Sequence, residues 1–157
     1  MIVQKCMKTT VVSISDTLNV AETAEIFMRR HIGTLPVVNA EGQLVGLVQL
    51  RDLLTLVMPD FIHLVQHFDF VRDFGMLENV VPAPEQIAQP VRTIMQAPVA
   101  IQEDCGLLRA FALLYRHQLS DLPVVDAQNR LIGIVSRVDL GTALLRNWFA
   151  GGRAEAA

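Results

Sequence analysis

Two hydrophobic periods alternate along this chain, and they do so twice in the same order. Val11 to Ile14 is short, apolar and mostly β-branched, which predicts a brief strand. Leu18, Ala21, Ala24, Met28 and Ile32 follow three or four positions apart, the spacing of one buried helix face, and predict a helix to about His31. Ser15-Asp16-Thr17 offer N-caps for it and Gly33 a stop. Leu35 to Val38 and Leu44 to Val48 are continuous apolar runs on either side of Asn39-Ala40-Glu41-Gly42, the pattern of a hairpin. Arg51-Asp52-Leu53-Leu54 then opens a second helix.

The second half copies this order. Val99 to Ile101 is the brief strand, Cys105 to His117 the helix, and Leu122 to Val125 and Leu131 to Val135 the hairpin around Ala127-Gln128-Asn129. The last helix is predicted from Arg137 or Val138. One constant interval separates Pro36 from Pro123, Gly46 from Gly133 and Asp52 from Asp139, so the halves are an internal repeat. Each is too small to bury a good core alone, and the two are expected to fold against each other.

Residues 57–90 between them are too long for an ordinary connection. Phe61, Leu64, Phe68, Val71, Phe74 and Leu77 predict an inserted helix from Asp60 to Leu77, weakened at its end by Gly75. Pro82, Pro84 and Pro90 predict an extended return. The expected organisation is therefore repeat one at 1–56, a helical linker at 57–90, repeat two at 91–150, and a tail at 151–157 that frays because it has nothing to bury.

Composition narrows the partners. The 157 residues are 52% hydrophobic and 18% charged, with a mean hydropathy of +0.38, which is apolar enough to expect that part of the surface is covered in a homodimer. Net charge is −3 with no cluster of Lys or Arg, so nucleic acid is set aside as a partner. No apolar run reaches membrane-spanning length and the first residues do not read as a signal peptide; a cytoplasmic protein with no membrane partner is expected. Cys6 and Cys105 match no metal or redox spacing and read as small, partly buried thiols. His63 and His67 stand four apart on the inserted helix with Asp60 and Asp69 nearby, but with no glutamate after His63, no cysteine nearby and an apolar opposite face they read as solvated histidines rather than a metal pair.

The ordered landmarks, Leu35-Pro36-Val37-Val38 with Gly46 to Asp52, and Leu122-Pro123-Val124-Val125 with Gly133 to Asp139, resemble the cystathionine-β-synthase (CBS) domain. The paired copies are similar to a Bateman module and cover about two thirds of the chain. The resemblance implies an α+β fold: two βαββα repeats related by a pseudo-twofold axis, packed through their sheets, with two equivalent clefts between them. It implies a stand-alone regulatory protein without catalytic residues, dimeric, whose clefts take an adenine nucleotide (AMP, ADP or ATP) or S-adenosylmethionine and whose state is read by an unidentified protein client. No cofactor is required beyond that regulatory ligand.

Ser136-Arg137-Val138-Asp139 fits the family's ribose signature, Asp139 accepting from the ribose hydroxyls and Ser136 donating to a phosphate. The same four residues also make a helix N-cap with an acidic third position, which needs no ligand. The rest of this favoured cleft is expected from Val12, Ile32, Thr34 and Ile134, with Arg137 either a phosphate partner or a plain exposed side chain. The second cleft is expected from Asp52, Leu47, Val99 and Leu119; it carries Gln49 in place of the hydroxyl residue, and Asp121 is expected opposite Asp52, where a second carboxylate would repel a polyanion. A different reading makes the clefts vestigial and the phenylalanine-rich linker helix an adaptor surface, and a third makes His63 and His67 a hydrolase's metal ligands.

Overall fold

The computed structural model describes residues 1–58 and 79–151. The expected linker helix with His63 and His67, and the tail beyond Gly151, lie outside the described residues. Repeat one runs β1 (Ile14–Ser15), α1 (Val20–Arg30), β2 (Thr34–Val38), β3 (Leu44–Gln49) and α2 (Leu50–Leu54). After a short α3 (Pro84–Ile87), repeat two runs β4 (Ile101–Gln102), α4 (Leu107–Arg116), β5 (Asp121–Val125), β6 (Leu131–Ser136) and α5 (Arg137–Gly151). Each repeat makes one three-stranded mixed sheet, β1-β2-β3 and β4-β5-β6, whose first pair is parallel and second antiparallel. The fold is thus α+β with two βαββα repeats, as expected.

The ends of α1 differ from the sequence pattern. Its cap is Asn19, whose Oδ1 accepts from the Glu22 N–H at 2.8 Å while Glu22 Oε2 accepts from the Asn19 N–H at 3.0 Å. This reciprocal capping box satisfies two donors at once, and it outcompetes Ser15-Asp16-Thr17, where the Ser15 and Thr17 hydroxyls bond to each other instead. Starting at Val20 rotates the buried face to Val20, Thr23 and Phe27, leaving Met28 67% exposed. At the other end His31, with φ 50°, takes the left-handed cap that the pattern assigned to Gly33. The proline-rich return is not extended either. Pro84 occupies the first turn of α3, where a missing N–H costs nothing, and Pro90 leads into a 3-10 turn at Val91–Thr93.

The repeats exchange their leading segments. Lys8 pairs with Ile134 on the edge of β6 through two backbone hydrogen bonds of 2.8 and 2.9 Å, and Gln96 pairs with Leu47 on β3 at 2.8 and 3.0 Å. Val3, in the 3-10 turn Val3–Lys5, is fully buried in repeat two's core against residues such as Leu107, Leu114 and Leu122. Val91 is fully buried in repeat one's core with Ile14, Phe27 and Leu35. Glycine makes both crossings possible: a Cβ on Gly133 would stand 2.9 Å from Met7 Sδ and 3.0 Å from the Lys8 carbonyl oxygen, and one on Gly46 would run into Met95. The hairpin turns also meet, the Leu44 N–H donating to the Asn129 carbonyl at 3.0 Å and the Leu131 N–H to Gly42 at 3.2 Å. Gly42 and Asn129, at equivalent positions, both have positive φ.

Candidate functional site

The crossing segments and the strand ends enclose two clefts. In the first, Val12 and Ile32 from repeat one face Ile134 from β6, and Thr34 opens β2; all four sequence candidates line a space of about 310 Å³. Lys8, Thr10, His31 and Asp121 complete much of its wall. Lys8 and Thr10 escaped the sequence reading because a non-local crossing brings them there, and no local period reports such a pairing. His31 was visible only as a helix end.

Asp121 is a correction. The sequence reading set it against Asp52 in the second cleft, whereas the structure puts it on the wall of the first, next to Ser136 in strand register. Asp121 opens β5 as Thr34 opens β2, and these two equivalent strand starts meet in one cleft instead of occupying one each. Burial pushes the Asp121 carboxyl up from its usual range and neighbouring Asp139 adds to the rise, against the pull of the Thr34 hydroxyl, Lys8 and Arg137. Thr34 Oγ1 is buried beside that carboxyl, and among the described residues it makes no hydrogen bond of good geometry.

Ser136, Arg137 and Asp139 are not on that wall. Asp139 borders a separate hollow of about 440 Å³ edged by Met1, Lys5, Cys6 and Arg146 among others. Lys8 joins the two, since it lines the cleft while its Nζ stands 3.4 Å from Asp139 Oδ1. Asp139 Oδ2 accepts from the Ser136 hydroxyl at 2.6 Å and the Ser136 N–H at 2.9 Å, and the Asp139 N–H donates to Ser136 Oγ at 3.1 Å. The helix-cap reading of this tetrapeptide is therefore realised, and the Ser136 proton is committed to Asp139. Burial would raise the Asp139 carboxyl, but the hydrogen bonds from the Ser136 side chain and backbone together with Lys8 outweigh it and hold the carboxyl below its usual range. Oδ1 is the oxygen left without a bond from Ser136, and the exposed Lys8 ammonium stands 3.4 Å from it. Arg137 Nε donates to the Leu119 carbonyl at 2.8 Å, which ties its guanidinium toward a residue of the other cleft.

The second cleft, about 470 Å³, gathers all four of its expected residues, Asp52, Leu47, Val99 and Leu119, with Gln49, Arg51, Gln96 and His117 among the others. Asp52 Oδ2 accepts from the Gln49 N–H at 2.7 Å, the counterpart of the Ser136–Asp139 bond. Arg51 and His117 were missed as lining groups. Arg51 was visible in the sequence only as the opening of a helix, and His117 as the end of one.

Among the described residues no group of His, Cys, Asp and Glu is placed to hold a metal ion. Burial pushes both thiols, Cys6 and Cys105, above their usual range. No described helix is long and apolar enough to cross a membrane.

Two βαββα repeats that trade leading segments and share two clefts define a paired-repeat module. The chain belongs to the CBS domain family: the family model described as CBS domain matches residues 3–59 and 91–146, making a tandem CBS pair, or Bateman module. It is 27% identical over 156 residues to the uncharacterized protein MJ1426 of Methanocaldococcus jannaschii, with 92% of each chain covered. Its fold is similar to that of CBSX2 solved in complex with AMP (TM-score 0.69, 24% identity, 92% of this chain and 96% of that one). It is also similar to the CBS domain pair of MJ0100 solved with 5′-methylthioadenosine and S-adenosyl-L-methionine (TM-score 0.66, 19% identity, 92% and 99%). Other relatives are longer. The chain spans 44% of MJ1225 and 23% of a homoserine O-acetyltransferase of Methanocorpusculum labreanum, so similar regions also occur within enzymes.

Proposed function

We propose that this chain is a regulatory module that binds an adenine nucleotide or adenosine derivative between its repeats and passes the bound state to a protein client. The observation that carries the reading is the first cleft itself. Ile32 and Ile134 supply apolar walls from different repeats, the buried Thr34 hydroxyl supplies a polar contact, and Lys8 joins this space to the Asp139 carboxylate. Because the walls come from both repeats, a ligand that prefers one relative tilt of the repeats shifts the population toward it, and this differential affinity is what a client would read. The AMP complex of CBSX2 and the nucleoside complexes of MJ0100 support the ligand class by likeness.

The client-facing or self-associating surface is assigned to the outer faces of α4 and α5. Leu108, Phe111 and Tyr115 fall on one face of α4 at 72%, 42% and 78% exposure, and Trp148 and Phe149 on α5 are each 74% exposed. We assign this apolar surface to a homodimer contact. Thermal unfolding with AMP, ADP, ATP, 5′-methylthioadenosine and S-adenosylmethionine tests the ligand reading: at about a hundred times its dissociation constant, a ligand adds roughly 2.7 kcal/mol of stability. No shift with any of the five would refute it.

A further inference from the structure

The hollow that Asp139 borders lies outside both clefts, and two walls make it. One is the leading segment, pinned where the Leu107 N–H donates to the Met1 carbonyl at 3.3 Å and where Lys8 pairs with Ile134 on β6. The other is one face of α5, on which Asp139, Ala143 and Arg146 recur three or four positions apart. Ile2, Met7 and Leu107 join Ala143 in an apolar lining, and the methionine chain adapts readily to an irregular apolar guest. The volume of about 440 Å³ falls within the roughly 300–1,000 Å³ of small-molecule sites.

The charges around this lining do not balance. Asp139 is the only carboxylate among the described lining residues, and it is already answered: Ser136 donates twice to Oδ2, and the Lys8 ammonium stands 3.4 Å from Oδ1. Lys5 and Arg146 line the hollow from opposite walls, and among the described residues neither stands in an ion pair. A lysine and an arginine without a carboxylate, set over an apolar lining, match a molecule that is anionic at one end and apolar at the other.

We propose that this hollow is a separate binding site for a small organic anion, whose carboxylate or phosphate head is held by Lys5 and Arg146 and whose hydrocarbon chain lies against Met7 and Leu107. The occupant clamps the leading segment to α5, the same segment that carries Val3 into the core of repeat two and Lys8 onto β6. The site does not depend on the adenosine reading, and the two fail separately.

The two thiols give the test an internal control, because Cys6 lines this hollow and Cys105 lines a different one beside Arg109. Alkylation of each by N-ethylmaleimide is followed by peptide mass spectrometry on the full chain titrated with octanoate, octyl phosphate, butanoate or octylamine. Octanoate and octyl phosphate slow Cys6 saturably and leave Cys105 unchanged, and whichever is tighter names the preferred head. Butanoate binds at least about tenfold more weakly than octanoate, since each buried CH₂ is worth about fourfold. Octylamine, with the wrong charge, gives no protection. Lys5→Gln and Arg146→Gln, both at exposed positions, each weaken octanoate about tenfold, the worth of one charge-assisted hydrogen bond. No protection by either eight-carbon anion, equal slowing of both thiols, protection by octylamine as good as by octanoate, or the parent's affinity in both variants overturns the proposal. Protection of Cys6 that grows with protein concentration and not with the anion gives the hollow to a second copy of the chain, and also overturns it.

Discussion

Replacing Gly133 by alanine tests whether the two repeats are held together by exchanged segments. The added Cβ would lie 2.9 Å from Met7 Sδ and 3.0 Å from the Lys8 carbonyl oxygen. The thioether is the far part of a flexible side chain and can swing away. The carbonyl cannot, because it accepts from the Ile134 N–H at 2.9 Å and the Lys8 N–H donates back to Ile134 at 2.8 Å. Relief therefore requires the Lys8 segment to lift off β6, loosening the pair of hydrogen bonds that carries Val3 into the core of repeat two. Overpacking of this kind costs about 1–3 kcal/mol. Gly133 is not among the positive-φ glycines, so alanine brings no backbone strain and lowers the entropy of the unfolded chain, a gain of about 0.4–1 kcal/mol that offsets part of the loss. The net expectation is a loss of about 1–2 kcal/mol, or roughly 2–8 °C in Tm for a chain of this size. Urea denaturation followed by circular dichroism at an unchanged m-value measures it. Adding Met7→Ala should recover only part of the loss, since the backbone contact persists. A single mutant within about 0.5 kcal/mol of the parent would mean that no segment packs across Gly133.

Other expectations follow from the same geometry. Asn19→Ala removes the acceptor of the capping box on α1 and should cost about 1 kcal/mol in the same denaturation assay, while Asp16→Ala, outside that box, should cost far less. Asp139 and Asp121 should give opposite pH dependences. Asp139, held low in the folded state, contributes stability that is present above its unfolded value and is lost as pH falls through the folded one; Asp139→Asn should therefore be less stable than the parent at pH 7 and should approach it in acid. Asp121, pushed up in the folded state among Thr34, Lys8, Arg137 and Asp139, opposes folding once ionised; Asp121→Asn should be more stable than the parent at neutral pH, with the gain vanishing as pH falls below the usual carboxylate range. If the exposed Trp148 and Phe149 form the proposed homodimer contact, sedimentation velocity should show a dimer that charged substitutions at these two positions abolish, with the circular dichroism spectrum of the repeats intact.

Local pattern predicted what local physics controls. The hairpins, whose apolar runs pair through short turns, were legible almost to the residue: β2 begins one position before Leu35 and β3 ends one after Val48. Helix ends were less so, because several polar residues competed to cap α1 and only Asn19 has a glutamate three positions on to return the bond. Leu47, Val99, Leu119 and Asp52 were found as a set because each holds an equivalent position in the repeat. Lys8 and the true place of Asp121 were not, for a different reason. Lys8 reaches the cleft through pairing with a strand more than a hundred residues away, and Asp121 shares its cleft with Thr34, the residue at the equivalent repeat position. Matching the repeats residue by residue identified which positions differ between the halves, but not that the equivalent starts of β2 and β5 come together in one cleft.

The proposed function makes the space between Ile32 and Ile134 a nucleoside site that extends past Lys8 to the bordering Asp139 carboxylate, the ligand's acceptor. Calorimetric titration of the parent and of Asp139→Ala with the adenosine compound that stabilises the parent most tests it directly. The claim predicts saturable binding to the parent and a loss of at least about tenfold for the variant, the worth of a charge-assisted hydrogen bond. Equal affinity in the two proteins would contradict it.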